Sequence, residues 1–337
     1  MSCIILHVDV SDVVLGVTRM SQKVNVYVAI PVVLIVCTVS LLVVTESGRR
    51  LHEKLNTCKD RTIATSRRRY STSDEMQYIL FGVGNQFSPY DQQLAEFIRS
   101  HTSEPTLTRP RQLTYPRKTD ASQHGQSLFV DKLLSGRRNG FFVECGAADG
   151  ETFSNSLFFE LKRNWTGLLI EANPYFYRTL LGKNRRAYVL QGCLSTERRP
   201  MTVQMLPADD GLVSGIVGKM HQAQVSAIGN KKKPEVAVNC FPLSAIMAAL
   251  NISHVDYLSL DVEGPEVEIL RTVDWTRLHI DVITAEYQIY GGSDSGALKK
   301  LKDLRGFFSK TGVYREVALL PADSDDVHAI DVVFSRI

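Results

Sequence analysis

The sequence contains no CxxC pair. Its six cysteines, Cys3, Cys37, Cys58, Cys145, Cys193 and Cys240, are scattered along the chain, so metal binding is not expected, while an oxidised pair stays open. A charge excess is missing too. The 39 basic and 36 acidic side chains leave a formal net charge of +3, and no global field favours a nucleic-acid partner. The basic runs Arg67-Arg68-Arg69 and Lys231-Lys232-Lys233 read as solvated loops. No internal repeat is visible, which argues against solenoids and propellers. What remains is ordinary globular usage: 337 residues, 44% hydrophobic and 22% charged. That suffices for one large α/β domain with an accessory region, or for two modest domains.

One stretch near the N-terminus departs from that usage. Val24 to Thr45 holds no charged residue. A helix of that length crosses a hydrocarbon core of about 30 Å. A single membrane anchor is expected there, with Pro31 tolerated inside it; a cleaved signal peptide is the rival reading. Orientation is divided. Arg49, Arg50, Lys54, Lys59 and Arg61 follow the span, against Arg19 and Lys23 before it, and this balance alone would keep the C-terminal part in the cytoplasm. Asn164-Trp165-Thr166 and Asn251-Ile252-Ser253 are glycosylation sequons, useful only in a lumen. The first falls where a buried strand is expected to begin.

Residues 46–125 read as a stalk, rich in Arg, Ser, Thr and Gln and broken by Pro89, Pro105, Pro110 and Pro116. Tyr78 to Phe81 and Leu94 to Ile98 are short apolar pieces within it. From Gln126 helices and strands alternate. Strands are expected at Gly140–Cys145, Gly167–Ala172, Ala187–Gln191, Tyr257–Asp261 and Val282–Glu286. Helices are expected at Ser127–Leu134, Ser154–Lys162, Tyr175–Leu181, Leu243–Leu250, Pro265–Arg271 and Ser295–Lys310. Short strands near Thr202–Met205 and Val236–Cys240 interrupt the series, and Tyr314–Leu319 with His328–Phe334 closes it as an antiparallel hairpin. This is the pattern of an α/β domain with a doubly wound, mostly parallel sheet.

Such sheets bind ligands beyond the carboxyl ends of their strands. Carboxylates stand at or just past four of those ends: Glu144, Glu171, Asp261 with Glu263, and Glu286. Gly146 and Gly150 in the first turn would let the backbone approach a ligand closely. Glu171 follows the glycine turn at the spacing where an acid grips ribose hydroxyls. Each part also has a bland reading. The glycines shape a tight turn, Glu171 caps the next helix, and the acids before Pro265 initiate the helix there.

The block Asp261-Val262-Glu263-Gly264-Pro265-Glu266 after Tyr257-Leu258-Ser259-Leu260 resembles the signature of FkbM-type methyltransferase domains. Glu144 to Gly150 and Leu169-Ile170-Glu171-Ala172-Asn173-Pro174 are similar to that family's two cofactor motifs. The resemblance spans residues 126–337 and implies a fold of the S-adenosylmethionine-dependent methyltransferase type. It implies Glu144, Gly146, Gly150, Glu171 and Asp261 as cofactor-binding residues, and Asp261 and Glu263 as catalytic ones, with Glu286 a second choice for the base. Glu144-Cys145-Gly146-Ala147, Trp165 to Pro174 and Cys193-Leu194-Ser195-Thr196 further resemble the Star-like animal membrane proteins. That narrower likeness implies a single-pass protein of the endoplasmic reticulum, Golgi and endosome with a luminal domain, trafficking epidermal-growth-factor-receptor ligand precursors. An active O-methyltransferase on a glycan, lipid or small metabolite is the alternative. The chain departs from the usual methyltransferase pattern at two positions of the first motif: the strand-end acid is Glu144 rather than Asp, and the middle glycine of the turn is Ala148. Residues 208–233, with four glycines, read equally as a substrate lid or as an insertion.

Overall fold

The structure is a computed structural model that describes residues 88–207, 214–228, 234–289 and 292–337. The expected membrane span at 24–45 lies outside the described residues. Among those described, no helix is long and apolar enough to cross a membrane.

The described chain opens with α1 (Gln92–Ser100), β1 (Thr102–Ser103) and α2 (Gln126–Leu133). The alternation then runs β2 (Phe141–Cys145), α3 (Leu157–Lys162), β3 (Thr166–Glu171), α4 (Pro174–Lys183) and β4 (Tyr188–Gln191). A looser section holds β5 (Cys193–Leu194), β6 (Met201–Leu206), β7 (Gly215–Ile216), α5 (Gln222–Ile228) and β8 (Val236–Phe241). Alternation resumes with α6 (Leu243–Ala249), β9 (His254–Leu260), α7 (Glu266–Thr272), β10 (His279–Glu286) and α8 (Asp294–Thr311), and ends on β11 (Tyr314–Leu320) and β12 (Asp331–Arg336).

Eight strands form the main sheet in the order β1-β4-β3-β2-β9-β10-β12-β11. The run from β4 to β10 is parallel, while β1, β12 and β11 join antiparallel. Leaving out β1 and renumbering along the chain, the order becomes 3-2-1-4-5-7-6. This is the dinucleotide-binding order 3-2-1-4-5-6 with one antiparallel strand inserted before the edge. The winding reverses between β2 and β9, so the crevice opens where Glu144, Glu171 and Asp261 end or follow their strands.

The central strands are legible as uninterrupted apolar runs because both faces are covered. Every residue of β2 is buried, and its side chains divide between two cores. Phe141, Val143 and Cys145 join Leu168, Ile170, Leu258 and Ile283 on one face; Phe142 joins Leu169, Tyr257, Val282 and Val333 on the other. This alternation places helices on both sides of the sheet.

The domain extends further towards the N-terminus than composition suggests. Asp91 caps α1 by accepting from the Gln93 and Leu94 N–H groups. The helix buries Leu94, Phe97 and Ile98 in the larger core, while Thr102 pairs with Leu190 to add β1 to the sheet. Residues 88–125, assigned to the stalk on composition, are therefore in part integral to the fold.

The short strands form a separate sheet in the order β5-β8-β6-β7. Cys193 and Cys240 are register partners in its parallel β5/β8 pair and are joined by a disulfide. Cys145 is buried and free.

Candidate active site

The turn after β2 is built by its neighbours. Gly146 has φ +81°, and a Cβ there would lie 1.9 Å from the Asp261 carbonyl oxygen. Its smallness is required by β9, which approaches from the other side of the switch point. Gly150, at φ +77°, would place a Cβ 2.2 Å from Leu180 of α4. Between them Ala148 holds φ +46°, a left-handed conformation that disfavours a side chain by about 1–2 kcal/mol.

Glu171 fixes that conformation. Its Oε2 accepts the Ala148 N–H at 2.7 Å and its Oε1 accepts the Asn173 N–H at 2.6 Å. The residue is 6% exposed, and burial pushes its pKa up to about 7 against the pull of these backbone donors. An ionised carboxylate has about four acceptor positions, so two such bonds leave it able to accept more.

Glu144 is placed differently. At 3% exposure it accepts from Ser154 Oγ at 2.9 Å, the Asn155 N–H at 2.6 Å and Ser156 Oγ at 2.5 Å. Its carboxylate is occupied in shaping the segment before α3, which is why that helix starts at Leu157 and not at Ser154. Asn155 then donates to Ser259 of β9 at 2.9 Å, tying the first turn to the opposite side of the crevice.

A second group of acids gathers past β9 and β10. The register pairs Leu260 with Ala285, so Asp261 and Glu286 emerge side by side. Glu263, held at φ +60°, turns back towards them, and one carboxylate oxygen from each of the three lies within 4.8 Å of the others. Burial and then the Glu266 charge raise the Asp261 pKa to about 6. Burial and Asp261 raise Glu263 to about 8. The same two causes lift Glu286 well above the ordinary carboxylate range. These are like charges that cannot all ionise together without a cation or shared protons.

Sequence reasoning missed the residues that support this group. Glu266, fully buried, accepts the Val262 and Gly264 N–H groups and so clamps the turn that carries Asp261 and Glu263. Lys300 of α8 pairs with it at 2.7 Å. Burial alone would lower the Lys300 pKa, but Glu266 and Glu286 outweigh that and raise it. Asp331, the register partner of Glu286, accepts from Gln126 Nε2 at 2.7 Å. Burial and then Asp261 raise its pKa to about 7. Lys300, Asp331 and Gln126 have no local signal, since only the tertiary fold brings them here.

Part of the segment read as a lid or an insertion is described. Ser214 Oγ accepts from Asn173 Nδ2 at 3.1 Å, and Gln224 Nε2 donates to Glu263. The Lys219 carbonyl oxygen stands 2.7 Å from where a Cβ on Gly264 would lie. Residues 214–228 thus reach from the end of β3 to the turn after β9. Residues 208–213 and 229–233 lie outside the described part.

A doubly wound sheet of this order, with a glycine turn after its first strand and acids at the next strand ends, defines a nucleoside-cofactor fold of the methyltransferase class. The profile of the family described as "Methyltransferase FkbM domain" matches residues 144–313, just over half of the chain, and the chain belongs to that family. Among solved structures, the methyltransferase FkbM from Methylobacillus flagellatus KT is 14% identical with a TM-score of 0.39, covering 64% of this chain and 48% of its own. The chain therefore spans about half the length of that protein. Aeropyrum pernix fibrillarin, solved with natively bound S-adenosyl-L-methionine, is 10% identical with a TM-score of 0.32, covering 63% of this chain and 73% of its own. Precorrin-6y C5,15-methyltransferase from Geobacter metallireducens GS-15 is 13% identical with a TM-score of 0.32, covering 66% of this chain and 93% of its own. No curated protein matches the sequence.

Proposed function

We propose that the chain is a membrane-anchored, S-adenosylmethionine-dependent O-methyltransferase. The observation that carries the reading is Glu171: an acceptor carboxylate at the end of β3, locked against the glycine turn by Ala148. That is the placement needed to accept two ribose hydroxyls. The bound cofactor would supply a methyl group on a sulfonium. The chain's own residues supply alignment and a base. Asp261 and Glu263, with pKa values of about 6 and about 8, bracket neutral pH, where a carboxylate can take a hydroxyl proton and later release it. Asp261 or Glu263 would take the proton of the acceptor hydroxyl as that oxygen receives the methyl group the cofactor would supply. Gln224, donating to Glu263, would bring the cover segment over the reacting groups.

A second reading keeps the fold without the chemistry. In it the chain handles growth-factor precursors between endoplasmic reticulum, Golgi and endosome, as its Star-like motifs imply. The Cys193–Cys240 disulfide favours the compartment this needs, because structural disulfides persist in oxidising lumina. Both sequon asparagines support the same compartment. Asn164 and Asn251 are exposed in turns before β3 and β9, at the strand ends opposite the acids; the first does not lie within a buried strand. Calorimetric titration of the full chain in detergent with S-adenosylmethionine separates the readings. Binding that Glu171→Gln weakens supports the enzyme. Absence of binding removes the enzyme and leaves the trafficking factor.

A further inference from the structure

We propose that Asp261, Glu263 and Glu286 form a divalent-cation site beside the cofactor crevice, and that the methyl acceptor is a hydroxyl brought in as a ligand of that ion. The proposal deepens the methyltransferase reading and rests on it for the acceptor, but not for the ion.

Three observations lead there. The first is geometry: three carboxylate oxygens, one from the end of β9, one from its turn and one from the end of β10, lie within 4.8 Å of one another. Oxygens facing each other across a Mg²⁺, Mn²⁺ or Ca²⁺ ion stand about 4–5 Å apart, from metal–oxygen distances of about 2.0–2.6 Å. An all-oxygen donor set selects hard cations of this kind over zinc or copper.

The second observation is an unmet acceptor. Glu286 Oε2 is shielded from solvent and has no hydrogen-bond partner, a state that is unfavourable unless something positive faces it. The charge of Lys300 acts on Glu286, but its ion pair is with Glu266, at 2.7 Å.

The third is the contrast with the other acid cluster in the fold. His254, Asp256 and Asp281 also come together, but Arg137 bridges Asp256 and Asp281 and the Phe141 N–H donates to Asp256. A cation of the chain's own bridges that group. Among the described residues none forms an ion pair with Asp261, Glu263 or Glu286: the charge of Lys300 acts on them, but its ion pair is with Glu266. Gln224, which donates to Glu263, would orient one ligand from outside the ion's coordination shell.

The chemical consequence concerns the acceptor. A hydroxyl bound to a divalent ion loses its proton more readily, and hard oxygen ligands suit alcohols and vicinal diols such as those of sugars. The hydroxyl proton would leave to solvent, and the bound oxygen would take the methyl group as the cofactor's carbon–sulfur bond breaks, so no further reagent would be needed.

The test uses Mn²⁺ alone, titrated into the full chain in detergent and followed by the paramagnetic resonance of free Mn²⁺, with no cofactor added. One Mn²⁺ per chain is expected, with a rise in the melting temperature. Affinity should fall by at least about tenfold in Asp261→Asn and in Glu286→Gln. Asp256→Asn, in the arginine-filled group, should retain Mn²⁺ binding. Absence of Mn²⁺ binding or stabilisation in the wild type overturns the proposal and leaves shared protons as the sole balance of the cluster. Retention of Mn²⁺ by a folded Glu286→Gln overturns it equally. Mn²⁺ binding without S-adenosylmethionine binding would keep the ion site and sink the methyltransferase reading; the reverse pattern would sink only the ion site.

Discussion

Glu171 and Ala148 are joined by a 2.7 Å hydrogen bond from the Ala148 N–H to Glu171 Oε2, so the acid at the end of one strand sets the turn that follows another. Glu171 is buried. Its removal acts in two ways. Glu171→Ala leaves the Ala148 and Asn173 N–H groups without their acceptor, which destabilises by roughly 1–3 kcal/mol for each group left buried and unpaired. Glu171→Gln keeps one acceptor and the shape. Cofactor affinity in Glu171→Gln is expected to fall by about tenfold or more, since a charged acceptor is worth roughly 1.5–3 kcal/mol. Denaturant melts and calorimetry on the same samples separate stability from binding.

The same residue predicts a pH dependence. Its folded pKa of about 7 lies above the ordinary value, so the folded state favours the protonated form. That stabilising preference is complete below the unfolded pKa and is lost as pH rises through about 7, a change of roughly 3 kcal/mol. Cofactor binding has the opposite sign, because ribose hydroxyls need the ionised acceptor: affinity should rise by about tenfold from about pH 6 to about pH 8. In Glu171→Gln both slopes should flatten. A wild type whose affinity is flat over this range would remove Glu171 from the cofactor site.

The glycine turn gives a sharper pair of variants. Gly146→Ala drives a methyl into the Asp261 carbonyl oxygen at a positive φ. It should destabilise by several kcal/mol or abolish folding, on the order expected for backbone strain plus overpacking. Ala148→Gly restores the residue the left-handed position favours. It should raise stability by about 0.5–1 kcal/mol once the greater freedom of the unfolded chain is counted. Thermal melts of the two variants beside wild type test both signs at once.

What the sequence made legible follows from burial. Runs such as Phe141 to Cys145 and Leu168 to Glu171 are apolar until an acid ends them, so strand, carboxyl end and candidate ligand are visible together. The Asp261 to Glu266 turn was legible as a motif, although its internal logic was not. Glu266, which clamps the turn, is paired with Lys300, and although the helix carrying Lys300 was legible, its approach to this turn was not. Cys193 and Cys240 could be paired only through the register of β5 with β8. The α1 contact was hidden for another reason: Leu94, Phe97 and Ile98 have helical spacing, yet they sit in a polar, proline-broken stretch that composition assigns to a stalk.

That contact changes where the domain can be cut. Each of Leu94, Phe97 and Ile98 is at most 2% exposed, and burying a side chain of this size contributes roughly 1.5–3 kcal/mol. Their sum is comparable with the whole stability of a domain. A fragment beginning at residue 126 should therefore aggregate or melt well below the full chain, whereas one beginning at residue 88 should fold. Size-exclusion chromatography and melting curves of the two fragments decide it. A monodisperse, equally stable 126–337 fragment would show that α1 is dispensable.

The remaining prediction is topology, where charge and covalent chemistry point in opposite directions. The basic residues after Thr45 favour a cytoplasmic C-terminal domain, but a disulfide between register partners and two exposed sequons favour a lumen. Domains translocate largely regardless of a modest charge bias, so the disulfide and the sequons outweigh the charge count and a luminal domain is expected. In sealed microsomes the domain should survive added protease until detergent opens the vesicles. A glycosidase that removes N-linked glycans should raise its mobility, by two steps in the wild type and one in either Asn164→Gln or Asn251→Gln. Cys193→Ser should fold less stably by about 2–5 kcal/mol, the cost of removing a native disulfide from a small secreted domain, and reductant should destabilise the wild type to a similar extent. Digestion of the domain in intact vesicles, with no glycan and no response to reductant, would place it in the cytoplasm and withdraw the trafficking reading. The proposed cofactor site would be untouched by that result, since neither Cys193 nor either sequon lies at the carboxyl ends of β2, β3, β9 and β10.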